Sequence, residues 1–226
     1  MSEPFPTFLA VIHAETPEQC ALNSGRARDN GADGVFLINH VIDPPALVEC
    51  YAAVRAAHPD WWVGLSFMGH GPAEALARLP ADASGLWVSD AGVGEDGALS
   101  VQARDFVDAR ATSGWTGLYF GGVAFKHQRP VNDVAAAARA AALHVDAVTT
   151  SGAATGVAAP LEKLQLMKAA IGARPLAVAS GVTVENAELY LGVVDCFLVA
   201  TGISDSESEL NPQRIAALAA KLKAGR

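Results

Sequence analysis

The sequence predicts an α/β fold, a single (β/α)8 TIM barrel, and three observations support this prediction. The chain contains eight short apolar runs, a longer amphipathic segment follows each run, and the length of 226 residues is close to that of one such barrel. The runs do not alternate strictly between apolar and polar residues, as expected for parallel strands that are buried on both faces. We therefore predict that residues 1–226 form one domain.

The predicted strands and helices alternate along the whole chain. The strand candidates are Phe8–His13, Gly34–Asn39, Trp62–Phe67, Gly85–Ser89, Gly117–Ala124, Asp146–Ser151, Pro175–Ser180 and Cys196–Thr201. The helix candidates are Thr16–Asn30, Pro44–His58, Pro72–Leu79, Val101–Ser113, Val131–Leu143, Pro160–Ile171, Val184–Val194 and Pro212–Lys223. Strict alternation implies a parallel sheet, and eight repeats imply that the sheet closes into a barrel.

Three strands open with a similar sequence. These openings are Asp33-Gly34-Val35, Asp146-Ala147-Val148 and Asp195-Cys196-Phe197. They lie at the N-terminal ends of strands, whereas this fold places its active sites at the C-terminal ends. We interpret them as tight turns between helix and strand.

The composition excludes several classes of protein. Hydrophobic residues make up 51% of the chain, enough for a large core, and the formal net charge of −8 argues against non-specific binding to nucleic acid. No apolar run approaches the roughly 18 residues of a membrane span, and Met1–Thr7 lacks the features of a signal peptide. Cys20, Cys50 and Cys196 form no CxxC pair, which indicates reduced thiols. We expect a cytoplasmic protein, and a homo-oligomer because symmetric oligomers are common.

The segments after the last two predicted strands indicate a phosphate site. Ser180-Gly181-Val182-Thr183 follows the seventh strand, and Thr201-Gly202 ends the eighth. Gly181 permits a close approach of backbone to ligand, and Thr183 is placed to cap the next helix, whose free amides would bind an anion. This fold commonly binds phosphate at these two loops. The alternative is that the threonine only caps a helix and the glycines only permit turns.

The loops after the fifth and sixth strands supply further candidates. Lys126 could pair with a phosphate, polarise a carbonyl group or form a Schiff base, or it could be a solvated loop lysine. Gly152, Thr155 and Gly156 belong to a loop of small and hydroxyl-bearing residues. Such a loop suits either the floor of a ligand site or a plain turn.

Several titratable residues fall at the predicted upper rim of the barrel. His13, Glu15 and Asp90 are candidates for the acid and base of an enzyme. Together with His13, the histidines at positions 40, 70 and 127 could bind a divalent metal, but their spacing matches no specific metal motif. No metal site is therefore predicted, and the cofactor stays undetermined.

Two polar loops and a tryptophan pair have other interpretations. Residues 90–99 and 203–210 are candidates either for mobile lids over the barrel or for ordinary surface loops. Trp61 and Trp62 lie at the predicted bottom of the third strand, where packing or a subunit contact is expected.

Four segments, in this order, resemble the BtpA family of barrel proteins. They are Phe125–Pro130, Asp146–Gly156, Ser180–Asn186 and Asn211-Pro212, and the resemblance is clearest over residues 117–218. It implies a cytosolic barrel related to phosphate-binding barrels, with a role in the biogenesis of photosystems or other membrane complexes. It also implies ligand roles for Lys126, Gly152, Thr155, Gly156, Ser180, Gly181, Thr183 and Gly202.

Other positions depart from the pattern of that family. Ile38 and Gly121-Gly122 stand where the family has acidic residues, and Gly69-His70-Gly71 replaces a more polar segment. Ser204-Asp205 follows the last strand, where the family has a lysine. These changes remove carboxylates that could act as general bases or metal ligands, but they keep the anion-binding loops.

Three hypotheses for function remain open at this point. The first is an enzyme that acts on a phosphorylated small molecule, such as a sugar phosphate or a nucleotide-like compound. The second is a non-catalytic binding or assembly protein of the BtpA type. The third is a metal-dependent hydrolase that uses the rim histidines. The fold alone cannot choose among them, because this barrel supports many unrelated activities.

Overall fold

The computed structural model describes residues 5–225, which form a closed barrel of eight parallel strands. The strands follow one another in sequence order, and β1 pairs with β8 to close the barrel. They are β1 Phe8–His13, β2 Gly34–Ile38, β3 Trp62–Ser66, β4 Gly85–Val88, β5 Leu118–Gly122, β6 Ala147–Ser151, β7 Leu176–Ala179 and β8 Cys196–Val199. The predicted (β/α)8 fold is confirmed.

Seven α-helices within the described residues cover the outside of the barrel. They are α1 Pro17–Asp29, α2 Pro44–Ala57, α3 Pro72–Leu76, α4 Val101–Ser113, α5 Val134–Ala141, α6 Leu161–Ile171 and α7 Pro212–Ala224. Side-chain caps define where several of them begin: Asp43 caps α2, Ser100 caps α4 and Asp133 caps α5. The cap at Asp133 explains why α5 starts three residues later than predicted.

One predicted helix is wrong. The sequence predicts a helix over Val184–Val194, but the chain forms only a four-residue 3-10 helix at Ala187–Tyr190. The Asn186 side chain accepts a hydrogen bond from the Thr183 amide and donates one to the Gly181 carbonyl, at 2.8 and 2.7 Å. These local bonds compete with α-helical pairing, so the apolar spacing of this segment does not produce an α-helix.

Aromatic side chains fill the barrel on the side of β2 to β5. The rings of Phe36 and Trp62 meet edge to face at 5.0 Å, and those of Phe36 and Phe120 do so at 5.2 Å. Gly64 makes room for them, because a Cβ atom there would lie 2.4 Å from the Phe36 ring. Trp62 is therefore a packing residue, as its position in the sequence indicates.

Small side chains face the interior on the opposite side of the barrel. Ala147 of β6 and Ala177 and Ala179 of β7 are buried in the same interior cluster as the aromatic rings. Alanines fill less volume than aromatic residues do, so they leave space towards the ends of β7 and β8. The sizes of the interior side chains thus differ between the two sides of the barrel.

A recurring hydrogen bond joins the strands in pairs at the bottom of the barrel. In each case the side chain just before an even-numbered strand accepts a backbone N–H at the start of the preceding strand, and we call this a strand-pair bond. The bonds are Thr7 and Phe8 to Asp33 (2.8 and 3.0 Å), Val63 to Ser84 (3.1 Å), Tyr119 to Asp146 (2.7 Å) and Leu176 to Asp195 (2.8 Å). The aspartates noted in the sequence therefore connect strands and do more than form turns.

The two polar loops are folded and hydrogen-bonded. Residues 90–99 form a β-bridge between Val93 and Leu99, and the Glu95 carboxylate accepts two backbone N–H groups just before α5. Residues 203–210 are closed by a β-bridge at their ends, and the Ser208 carbonyl accepts two side-chain amides from α1. These contacts favour ordered surface loops over lids.

The helices are too short to span a bilayer. Among residues 5–225 the longest helix is α2 with 14 residues, whereas a spanning helix needs about 20 apolar ones. Within residues 5–225, no helix combines the necessary length and apolar character.

The strand-pair bonds predict a measurable effect on stability. In Asp195→Ala the Leu176 amide and the Lys168 ammonium both lose an acceptor. We expect the free energy of unfolding to fall by about 1–3 kcal/mol, measured by urea denaturation. The control is Asp105→Ala on the exposed face of α4, which we expect to change stability by less than about 0.5 kcal/mol. Equal stabilities of the two variants would contradict a structural role for this bond.

Candidate functional site

A cavity of about 140 Å³ opens at the C-terminal end of the barrel, where this fold places its active sites. Predicted site residues that line it are His13, Lys126, Thr155, Ser180, Gly181, Val182, Thr201 and Gly202. Those that do not line it are Glu15, Asp90, Gly152, Gly156 and Thr183. The structure therefore brings together the predicted lysine, both predicted phosphate loops and three of the four rim histidines, His13, His40 and His127, whereas His70 does not line the cavity.

Lys126 lies beside this cavity with a defined set of neighbours. Its backbone N–H donates to Ser151 Oγ at 2.8 Å, and its ammonium group donates to Thr155 Oγ1 and Ser180 Oγ at 3.0 and 2.9 Å. Within residues 5–225 no carboxylate forms an ion pair with it. Burial lowers the pKa of Lys126. A cation in this situation is stabilised by an anion that enters the cavity.

Unusual backbone conformations surround Lys126. Three non-glycine residues in the described part of the chain have positive φ angles: Ala124 at 48°, His127 at 65° and Ser180 at 82°. Two of them flank Lys126 in sequence, and the third accepts a hydrogen bond from its ammonium group. Residues other than glycine rarely adopt positive φ angles, and such backbone strain is concentrated at functional sites.

Lys163, which the sequence analysis did not select, supports this arrangement from α6. Its ammonium group donates to the carbonyls of Ala124 and Ser151 at 2.6 and 2.8 Å. It thereby joins the end of β6 to the strained turn before Lys126. Burial lowers the pKa of Lys163 to about 8. Only its position on a helix was visible in the sequence, and nothing there distinguishes it from a surface lysine.

Gly152 lets the loop after β6 fold closely on itself, and Gly181 and Gly202 let the loops after β6, β7 and β8 pack against one another. A Cβ atom at Gly152 would lie 2.1 Å from the Val157 carbonyl oxygen, and one at Gly181 would lie 2.3 Å from the Ala158 amide. A Cβ atom at Gly202 would lie 2.0 Å from the Val182 carbonyl oxygen. The close approach predicted for Gly181 is therefore made to a neighbouring loop, and its small size shapes the site indirectly.

The anion donors differ from those expected at a helix N-terminus. Thr183 Oγ1 accepts the amides of Glu185 and Asn186 at 3.2 and 3.4 Å, so these amides are already paired. The amides of Gly181 and Gly202, by contrast, donate no hydrogen bond to other residues in the range 5–225. Both glycines line the cavity. The two loops can thus offer backbone donors without an α-helix between them.

His13 and His40 form a stacked pair at the rim. Their ring centroids lie 4.6 Å apart with an angle of 25° between the planes. Burial, reinforced by the positive charge that His40 can carry, lowers the pKa of His13. His13 is therefore mainly neutral at pH 7, and a neutral imidazole can accept a proton.

The predicted acids lie outside the cavity. Glu15 is exposed, and Asp90 accepts the Gly92 amide at 2.8 Å within its own turn. Among residues 5–225, no three His, Cys, Asp or Glu side chains converge so that they could hold a metal ion. The hypothesis of a metal-dependent hydrolase receives no support from this geometry.

The model of the BtpA family matches residues 84–223, more than half of the chain. The chain belongs to the BtpA family. The matched region includes Lys126, Lys163 and the loops after β6, β7 and β8, so the family assignment covers most of the cavity. No curated protein matches the chain.

Solved structures share the barrel of this BtpA-family protein at low identity. Phosphoribosyl anthranilate isomerase from Thermus thermophilus is 17% identical with a TM-score of 0.66, covering 97% of this chain and 100% of its own. A structure described as native KDPGal is 15% identical with a TM-score of 0.71, covering 100% and 98%. Geranylgeranylglyceryl phosphate synthase from Thermoplasma acidophilum, solved with sn-glycerol-1-phosphate, is 16% identical with a TM-score of 0.68, covering 97% and 94%. At these identities the likeness establishes the fold alone.

Sequence reasoning also missed the apolar part of the BtpA-family cavity. The larger apolar side chains that line it include Val11, Ile38, Met68, Trp87, Phe125 and Leu198. In the sequence most of these residues look like ordinary core residues of strands. Only the closed barrel shows that they reach the upper layer, where the interior opens.

The low pKa of Lys163 predicts a specific pH dependence of stability. The folded-state pKa of about 8 lies below the unfolded value of 10.5, so the unfolded state binds more protons between these values. This residue therefore makes the free energy of unfolding rise with pH from about 8 to about 10.5. In Lys163→Met we expect this rise to be smaller than in the wild type, measured by urea denaturation at pH 7.5 and 10.

The control for this comparison is Lys223→Met, which removes an exposed lysine from the end of α7. It should keep the pH dependence of the wild type. Identical pH profiles for the wild type and Lys163→Met would show that Lys163 is not held in the low-pKa environment described above.

Proposed function

We propose that this BtpA-family protein binds a phosphorylated small molecule at the C-terminal end of its barrel, with the phosphate between Lys126 and the loops after β7 and β8. The main support for this proposal is the set of groups around the Lys126 ammonium. Its ammonium group lies beside the cavity, bonds to two neutral hydroxyls and has no carboxylate partner within residues 5–225.

The neighbouring groups complete a site for a phosphate. The hydroxyls of Thr155 and Ser180 accept from Lys126, so their own hydrogens are free to point to an anion. The amides of Gly181 and Gly202 add two backbone donors at the same cavity. A phosphate has several acceptor oxygens, and it can use a cation, hydroxyls and amides at the same time.

The fold is compatible with such a ligand. One structurally similar protein was solved with sn-glycerol-1-phosphate, and another is named as an isomerase of phosphoribosyl anthranilate. The barrel often binds phosphate after its seventh and eighth strands. Sugar phosphates and nucleotide-like compounds, the classes considered from the sequence, therefore belong in a first panel of ligands.

An enzymatic role for this site would use His13 and Lys126. Both line the cavity, the imidazole is mainly neutral at pH 7, and the ammonium can stabilise negative charge. We propose His13 as the proton acceptor and Lys126 as the group that holds the phosphate or polarises a carbonyl.

A binding protein without catalysis is the second candidate, and one observation favours it. No aspartate or glutamate within residues 5–225 lines the cavity, so the carboxylates that commonly act as general bases are missing there. The anion-binding groups are nevertheless in place. This pattern fits a protein that senses or carries a phosphorylated compound.

The phosphate site predicts ligand-dependent stabilisation. A ligand that binds only the folded state and is present at about 100 times its Kd adds about 2.7 kcal/mol of stability. We expect at least one phosphate ester in the panel to raise the Tm of the wild type, and Lys126→Met to lose that increase. The measurement is thermal unfolding with and without each ester.

The matched control for Lys126→Met is Lys223→Met, which removes the same charge from an exposed position on α7. It should respond to the ester as the wild type does. An equal Tm increase in all three proteins would mean that the ester binds elsewhere, and it would refute the proposed site.

Turnover separates the two candidate functions once an ester that binds is known. In an enzyme, His13→Asn should keep the affinity for that ester within a few fold and lower the rate of its conversion by about 100-fold or more, followed by phosphorus NMR. His144→Asn, which changes a histidine just before β6 at the bottom of the barrel, should convert the ester at the wild-type rate. Binding without conversion by the wild type would favour the non-catalytic candidate.

A further inference from the structure

The cavity has two chemically different parts. The polar part consists of Lys126, Thr155, Ser180 and the loops after β7 and β8, and the other polar side chains that line the cavity are those of Ser89, Thr201 and three histidines, His13, His40 and His127. The other part is a wall of apolar side chains, which we call the apolar wall: Val11, Ile38, Met68, Trp87, Phe125 and Leu198. A ligand with its phosphate in the polar part must place the rest of its structure against this wall.

The apolar wall disfavours a sugar as the rest of the ligand. Each sugar hydroxyl that turns to such a wall loses its hydrogen bonds to water and gains none. Carboxylates accept hydrogen bonds from sugar hydroxyls, and no Asp or Glu side chain lines this cavity within residues 5–225. An apolar group, by contrast, gains free energy when it leaves water for the same wall.

The rings around the cavity favour a flat group. His13 and His40 stack at one side, and Trp87 meets Phe125 edge to face at 5.9 Å at another. Aromatic rings pack well with other planar, unsaturated groups by stacking and by edge-to-face contact. Trp87 is also only 7% exposed, and its indole N–H has no hydrogen-bond partner in the described part of the chain.

We infer that the ligand is a phosphate monoester whose body is flat and mainly apolar, such as an aromatic ring, and this inference rests on the phosphate site proposed above. The phosphate bonds to the polar part, and the ring lies on the apolar wall between the histidine pair and Trp87. The class differs from the sugar phosphates that the sequence alone suggests.

Calorimetric titration with three probes tests the inference. The probes are phenyl phosphate, ribose 5-phosphate and inorganic phosphate, each titrated into the wild type and into Lys126→Met. We expect phenyl phosphate to bind the wild type at least tenfold more tightly than either of the other two. We expect Lys126→Met to weaken the binding of every probe that binds.

A polar substitution in the apolar wall isolates the contribution of the ring. Met68→Gln keeps the length of a half-buried side chain and adds an amide. It should weaken phenyl phosphate severalfold and leave inorganic phosphate unchanged. The matched control is Leu143→Gln, at an apolar residue that is 74% exposed and lies outside the cavity, and it should affect neither probe.

The outcomes distinguish this inference from the proposed function. Tighter binding of ribose 5-phosphate than of phenyl phosphate, lost in Lys126→Met, would overturn the inference and keep the phosphate site. Unchanged affinity of Met68→Gln for phenyl phosphate would also overturn it. If none of the three probes bound the wild type, both the inference and the proposed function would fail.

Discussion

The two hydrogen bonds of Lys163 are the constraint on which the site depends. Left-handed backbone at non-glycine residues costs about 1–3 kcal/mol each, and Ala124 and His127 adopt it on either side of Lys126. Lys163 bonds to the carbonyls of Ala124 and Ser151, and Ser151 in turn accepts the Lys126 amide. The hydrogen bonds of Lys163 thus hold the strained turn in place, and in this conformation the Lys126 ammonium donates to Ser180.

The charge at this site is positive, whereas the net charge of the whole protein is negative. The chain has a formal net charge of −8, yet neither Lys126 nor Lys163 forms an ion pair within residues 5–225. The overall charge repels anions at long range, although salt screens this effect beyond about 8–10 Å. Affinity for the proposed phosphate would therefore come from short hydrogen bonds and from the Lys126 ammonium group, which has no carboxylate partner within residues 5–225.

The sequence predicts the barrel well because the closed sheet needs buried apolar strands at regular intervals, and such runs are directly visible. The sequence also predicts that polar site residues follow the ends of β5, β7 and β8. It fails over Val184–Val194, since the bonds of Asn186 to its neighbours outweigh the apolar spacing. Lys163 and Met68 were missed because their roles depend on contacts between segments that are distant in sequence. Their residue types alone indicate only a helix surface and a loop.

The strand-pair bonds divide the barrel into four similar quarters. Each quarter consists of an odd strand, a helical connection and an even strand, and it contains its own bond between the two strand starts. The connection is an α-helix in three quarters and the short 3-10 helix Ala187–Tyr190 in the fourth. Three quarters make this bond with aspartate and one with Ser84, so the bond recurs although the residue differs. A gene segment encoding one quarter carries this bond within it. Duplication of such a segment would therefore reproduce this bond in every copy, and the helices α2, α4 and α6 connect one quarter to the next.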